Sequence, residues 1–261
     1  ILNKEINFNE NIGFVPTMGS LHKGHISLIK EAKRKTKIVL VSIFVNPSQF
    51  NEKKDFIKYP RSLKKDISIL KKLGVNYLFI PDKQEVYKKG IKKKISIINK
   101  DKFMCAKHRP GHFQGVLAVI NRFLQNIKAK YVFLGEKDFQ QAYLIKKYLQ
   151  GKFNTKVIVC KTVRNKNHLP LSSRNTLLTN SDLIKSEKIS KLIFNFKSLI
   201  KKNFRNVKLL NIYRAKILKL CEKIEYFEIR NTNNLSNKIS KRNFRIFIAY
   251  SQNKIRLIDN V

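Results

Sequence analysis

The chain reads as an α/β protein: a parallel sheet covered by helices on both faces, followed by a smaller α+β unit. Three observations predict this. Short apolar runs alternate with amphipathic segments as far as about Thr162, the signature of strands joined by helical crossovers. Beyond Val163 the order changes to helices followed by strands, which marks a second unit. The composition supports a packed core, because 43% of the 261 residues are hydrophobic, with 18 Phe and 9 Tyr among them.

Each element has its own warrant. Ile12–Val15 is a short apolar strand, and His25–Lys35 is a helix following a Gly-bearing loop. Ile38–Val45 (IVLVSIFV) is continuously apolar and β-branched, as a strand buried on both faces must be. Ser62–Leu73 has helical periodicity and ends at Gly74, before a strand over Val75–Ile80 and the stop at Pro81. Phe113–Ile127 is helical, Tyr131–Leu134 a strand, Phe139–Leu149 a helix ending near Gly151, and Lys156–Cys160 a strand. In the second unit helices are expected over Asp182–Lys201 and Val207–Glu222. Strands follow at Tyr226–Arg230, Arg245–Tyr250 and Ile255–Ile258. Lys92-Lys93-Lys94, the longest run of lysines, is assigned to a strand or hairpin. The chain opens on Ile1 without a signal-peptide pattern, and an N-terminal element is expected to be missing.

Composition excludes several classes of function. No stretch reaches the ~18 apolar residues that cross a bilayer, so no membrane role is expected. Cys105, Cys160 and Cys221 are too scattered for a disulfide framework or a Cys-based zinc site, and they fit a reducing, cytoplasmic compartment. The 56 Lys+Arg against 17 Asp+Glu give a net charge of +39, which invites a nucleic-acid reading. The lysine pairs, however, recur along the whole chain (Lys53-Lys54, Lys64-Lys65, Lys146-Lys147, Lys201-Lys202) and form no single patch. Heavy joint use of Lys, Asn and Ile is what AT-biased coding produces, and no specific nucleic-acid partner is expected.

Four stretches carry chemistry. In PTMGSLHKGHISLI, residues 16–29, strand, loop and helix follow one another, so a helix N-terminus able to attract an anion falls near His25. Gly19 and Gly24 allow close backbone approach, and His22 and His25, three apart, can face one side as hydrogen-bond donors. Taken alone, the pair could equally be a metal pair or surface histidines, though no third ligand stands at zinc spacing. In VSIFVNPSQF, residues 41–50, Asn46 and Gln49 follow the end of a buried strand, where α/β sheets bind ligands; the alternative is simple turn chemistry at Asn46-Pro47. In YVFLGEKDFQQ, residues 131–141, Lys137 offers a point charge suited to phosphate, or else a salt bridge to Glu136 or Asp138, and Gln141 stands one turn further on. In LSSRN, residues 171–175, two hydroxyls and a guanidinium can hold an oxyanion or merely cap a helix. His108, Arg109 and His112 form a further basic cluster, either supporting the site or tying a loop to the core.

Together these stretches, with DFIKYPRSLKKD, RPGHFQGV and the terminal RLIDN, resemble the pantoate–β-alanine ligases (pantothenate synthetases). These belong to the HxGH nucleotidyltransferase superfamily. The resemblance implies a Rossmann-like N-terminal domain over residues 1–162 and a C-terminal lid domain over 163–261. It implies an enzyme that joins (R)-pantoate to β-alanine, making pantothenate (vitamin B5) for coenzyme A biosynthesis. ATP and pantoate would first form a pantoyl adenylate and pyrophosphate, and β-alanine would then displace AMP. Mg²⁺ accompanies ATP in the family, and the assembly is typically a homodimer. Carried onto this chain, the ATP-binding residues would be Met18, Gly19, Ser20, Leu21, His22, Gly24 and His25, then Gly135, Glu136, Lys137 and Asp138, then Val163, Leu171, Ser172, Ser173 and Arg174. His25 would be the proton donor, with His22 and Lys137 as its catalytic companions. Gln49 and Gln141 would bind pantoate, Gln49 also β-alanine, and no residue is assigned as a metal ligand.

The chain departs from the family pattern in three places. Asn167-His168-Leu169-Pro170 stands where Asp-Gly-Leu-Ala is usual, which predicts a stiffer loop and slow turnover. Ala106 replaces a common Gly, a mild change. The segment supplying the usual first strand is expected to be absent, leaving a sheet edge exposed.

Overall fold

The computed structural model describes residues 11–87, 95–202 and 208–261. The expected Lys92–Lys94 strand or hairpin and the residues before Asn11 lie outside that set. The chain divides into two compact units, Ile1–Thr162 and Val163–Val261.

The first unit is built on five parallel strands, β1 (Ile12–Thr17), β2 (Ile38–Ile43), β3 (Tyr77–Phe79), β4 (Tyr131–Gly135) and β5 (Lys156–Cys160). Their spatial order is β3-β2-β1-β4-β5, so the winding reverses between β1 and β4. Among the helices of this unit are α1 (Lys23–Lys35), α2 (Lys53–Lys58), α3 (Leu63–Lys72), α4 (Lys83–Val86), α5 (Cys105–His108), α6 (His112–Ile127) and α7 (Phe139–Ile145). The α/β expectation is met. Strand β1 pairs β2 in register from Ile12↔Ile38 to Thr17↔Ile43, and Phe14, Val15, Val39, Leu40 and Val41 are fully buried. Burial on both faces is why β2 reads as an unbroken apolar run.

Boundaries shift by a residue or two at several elements (β1 runs on to Thr17, and β2 stops at Ile43 short of the expected Val45), and three of the differences have a visible cause. Helix α1 begins at Lys23, two residues early, because His22 acts as its N-cap. The His22 side chain accepts from Gly24 N–H, and His25 returns a contact to the His22 backbone, a capping box built from two histidines. Strand β3 is trimmed to Tyr77–Phe79, the length that pairs with β2 at the sheet edge. Helix α7 leaves α geometry at Ile145 and continues as a π turn over Lys146–Gln150. Two consecutive residues of that turn, Lys147 and Tyr148, reach the buried Asp101 carboxylate, at 2.7 and 2.6 Å. A wider turn at this point lets neighbouring side chains serve one acceptor.

The second unit packs α8 (Asn180–Lys202) and α9 (Lys208–Leu218) on an antiparallel sheet of β6 (Lys223–Asn231), β7 (Phe244–Gln252) and β8 (Ile255–Asn260), in the order β6-β7-β8. Ile189, Ile193, Phe196 and Ile200 fall at helical spacing on α8 and meet Ile246, Ile248 and Tyr250 of β7. The expected helix at 207–222 gives way at Leu218, because Lys223 already belongs to β6.

The loop of this unit that departs from the family pattern is held by side chains. His168 adopts φ +69°, the conformation for which glycine is suited, and a histidine occupies it at a cost of about 1 kcal/mol. Arg164 donates to the His168 carbonyl at 2.7 Å and forms a bidentate pair with buried Asp259 at 2.7 and 2.8 Å. Asn165 Oδ1 accepts from the N–H groups of Asn167 and Leu169, each at 3.0 Å. The amides of Asn165 and Asn167 donate to opposite oxygens of Glu187 on α8, each at 2.7 Å.

Candidate active site

In a doubly wound sheet the crevice for ligands opens beyond the carboxyl ends of the strands where the winding reverses. Here that point lies between β1 and β4, so the loops after Thr17 and Gly135 must meet there. They do: the Lys137 ammonium is close enough to His22 and His25 to lower the pKa of both. The two imidazoles lie against each other, their ring centroids 4.1 Å apart and their planes inclined by 41°.

The β1 loop spends its backbone donors internally. Gly19 and Ser20 have φ of +76° and +51°, which turns the next N–H groups inward. Ser20 N–H and Leu21 N–H each donate to the Asp66 carboxylate at 2.8 Å, His22 N–H to His25 Nδ1 at 3.3 Å, and Gly24 N–H to His22 Nδ1 at 3.0 Å. The contacts to Nδ1 leave Nε2 of each neutral ring to carry its proton. Burial, chiefly, and then Lys137 bring His22 down to about 4; burial, His22 and Lys137 hold His25 well below the ordinary histidine range. Both rings are therefore neutral N–H donors near neutral pH.

The loop after β2 is ordered from the opposite side. Asn46, 1% exposed, accepts from Ser48 N–H and from the Tyr87 hydroxyl at 3.2 and 2.9 Å, and it donates to the Gly115 carbonyl at 3.2 Å. Its amide also faces Gln49 Oε1 at 3.4 Å, while Gln49 Nε2 lies against the Met18 sulfur. Gln49 thereby presents its donor toward the β1 loop. Its backbone carbonyl accepts from Arg109 at 3.1 Å and from His112 Nδ1 at 2.6 Å. Arg109 also donates to His112 Nε2 at 3.0 Å; since a guanidinium can only donate, the tautomer of His112 is settled. Helix α6 sits so close that a Cβ on Gly115 would lie 2.5 Å from the Ser48 carbonyl oxygen.

A sequence model of the Pantoate-beta-alanine ligase family matches residues 2–261. The chain belongs to that family. It is 45% identical, over 256 residues, to the pantothenate synthetase of Francisella tularensis subsp. mediasiatica (strain FSC147), covering 96% of this chain and 89% of that one. The crystal structure of pantothenate synthetase from Thermus thermophilus superposes with a TM-score of 0.92 at 30% identity, covering 100% of this chain and 95% of that one. The pantoate-beta-alanine ligase of Francisella tularensis, complexed with beta-gamma ATP and beta-alanine, gives 0.84 at 41% identity, covering 100% and 92%.

Within this ligase-family fold, Met18–His25, Gly135–Asp138, Gln49 and Gln141 all sit on the last strand residue, loops or first turns at the carboxyl ends of β1, β2 and β4. Met18 touches Gln49, and Gln141 occupies the first turn of α7. Val163 and Leu171–Arg174 belong to the second unit. There Leu171 N–H donates to the Val163 carbonyl at 3.0 Å, and Ser172 caps a short 3₁₀ turn by accepting from Arg174 N–H at 3.3 Å. Asp66 was not among the expected site residues. The signal was present: a charged residue four before Leu70 on the buried face of a helix calls for an explanation.

Proposed function

We propose that this chain is an ATP-dependent ligase that condenses (R)-pantoate with β-alanine through an enzyme-bound pantoyl adenylate, releasing pyrophosphate and then AMP. The convergence of His22, His25 and Lys137 at the β1/β4 switch point carries this reading. Attack of a carboxylate on the α-phosphorus needs no protein nucleophile; it needs donors aimed at charge developing on phosphoryl oxygen. His22 and His25 supply Nε2–H donors, and Lys137 supplies full charge. With ring pKa values this low in the ligand-free state, His25 acts first as a hydrogen-bond donor. Triphosphate binding then brings the negative charge that raises its proton affinity.

Gln49 offers N–H to the carboxylate or hydroxyls of pantoate and later to β-alanine, and Gln141 completes the pantoate site. The Francisella structure with beta-gamma ATP and beta-alanine supports both ligands here. Among the described residues no group of three or more His, Cys, Asp or Glu could hold a metal ion, and the carboxylates beside Lys137 at the phosphate end are those of Glu136 and Asp138. That set fits a Mg²⁺ carried mainly by the triphosphate, which when bound neutralises charge on the leaving pyrophosphate. Val163, Leu171, Ser172, Ser173 and Arg174 are proposed as further nucleotide-binding residues, on the family resemblance that the LSSRN stretch helps to carry. The three cysteines stand as thiols, which fits a reducing cytoplasm, and no described helix is long and apolar enough to cross a membrane. The assembly is read as a homodimer, which sedimentation velocity checks.

The decisive test follows the two products. Pyrophosphate must form from ATP and Mg²⁺ only when pantoate is present, and AMP only once β-alanine is added. ATP turnover indifferent to pantoate would overturn the reading.

A further inference from the structure

The turn that presents the two histidines has the form of an anion trap. Gly19 and Ser20 both have positive φ, and the N–H groups of Ser20 and Leu21 converge on one acceptor, as the successive N–H groups of anion-binding turns do. In this chain the trap is already filled from inside. Asp66 Oδ2 accepts from Ser20 N–H and Oδ1 from Leu21 N–H, both at 2.8 Å, and Ser62 Oγ donates to Oδ1 at 3.2 Å. Asp66 is 1% exposed, and a Cβ on Gly19 would stand 3.1 Å from Oδ2. Asp66 stands on α3 and belongs to none of the nucleotide or pantoate contacts set out above.

Resting on the proposed function, we infer that Asp66 is a positioning residue: it fixes the Thr17–His22 turn through two charge-assisted bonds and so sets where the His22 and His25 rings stand during adenylation. A carboxylate matches two convergent N–H groups best, because each can bond its own charged oxygen, as Ser20 and Leu21 do on Asp66. The same contact denies those N–H groups to phosphate, so the anion is held by side chains, whose geometry depends on the turn.

Asp66→Asn is the matching variant, because an amide of the same shape sets its NH₂ against one of the two backbone donors. Amide exchange reads the contact without any substrate. Ser20 and Leu21 exchange slowly in the unaltered protein, and at least ten-fold faster in Asp66→Asn, while the amides of β1 and β2 are unchanged. Activity then reads its purpose. Pantoate-dependent pyrophosphate formation falls roughly a hundred-fold, mostly in kcat, whereas amidation of chemically prepared pantoyl adenylate by β-alanine changes less than three-fold. Equal loss in both half-reactions would make Asp66 a merely structural residue and overturn the inference. Full adenylation with freed Ser20 and Leu21 amides would overturn it as well. Should Asp66→Asn fail to fold, fast exchange of the two amides in the unaltered protein refutes the contact and slow exchange upholds it. An unaltered protein that releases no pyrophosphate overturns the functional reading instead, leaving the exchange result to stand for the contact.

Discussion

At the scale of single residues, the site owes its character to where protons sit. His22 takes up its proton near pH 4, where an exposed histidine does so near 6.5, because burial and Lys137 oppose the cation. The unfolded chain therefore binds a proton that the folded chain refuses across that interval. The stabilisation from His22 is complete above pH 6.5 and is lost as the pH falls toward about 4. Urea midpoints between pH 7 and 4.5 will fall more steeply for the native chain than for His22→Gln; identical slopes would refute the neutral assignment. Replacing Lys137 by Ala removes a full charge assigned to the phosphates, and pantoate-dependent pyrophosphate release is expected to drop about 10²–10³-fold, comparable to losing an oxyanion donor. At His168, with φ +69°, Val costs about 1–2 kcal/mol relative to the native residue, read as a lowered Tm, while Asn is tolerated because it adopts this conformation readily.

At the scale of elements, the π turn after α7 is a joint. Asp101 is buried and accepts from Lys147 through both oxygens and from the Tyr148 hydroxyl. Tyr148→Phe should lower stability by about 1 kcal/mol, seen as a Tm a few degrees lower, with the fold kept because Lys147 still pairs. How far such features could be read in advance depends on whether the signal is local. The strands β2 and β4 announce themselves, since burial on both faces forces an apolar run, whereas the edge strand β5 shows the same signal through Val157, Ile158 and Val159 without that burial. The start of α1 does not, because its cap is a histidine and the familiar capping residues are Ser, Thr, Asp and Asn. The π turn depends on Asp101, some 46 residues away in sequence, and no window around Lys147 contains that partner. The candidate site divides the same way. His22, His25, Lys137 and Gln49 lie in motifs with a resemblance to follow. By contrast, the service of Asp66 to Ser20 and Leu21, and the hold of Arg109 and His112 on the Gln49 carbonyl, are contacts across the fold.

At the scale of the whole molecule, a net charge of +39 over 261 residues sets like charges against one another throughout the surface. Salt weakens that repulsion over a Debye length of about 8–10 Å at moderate ionic strength. Raising sodium chloride from low concentration to about the half-molar range, where screening is within a few ångströms, should raise the Tm of the unaltered chain; an unchanged Tm would show the charges to be locally balanced. The loop at Arg164–Pro170 carries a consequence of another kind. Where a glycine would reach φ +69° unaided, this chain spreads the task over Arg164, Asn165, Asn167, Glu187 and Asp259. A shape written in one glycine tolerates change at its neighbours, but a shape written in five side chains does not. In a deep mutational scan Glu187, a helix residue with no part in the chemistry, should therefore prove among the least replaceable positions of the second unit.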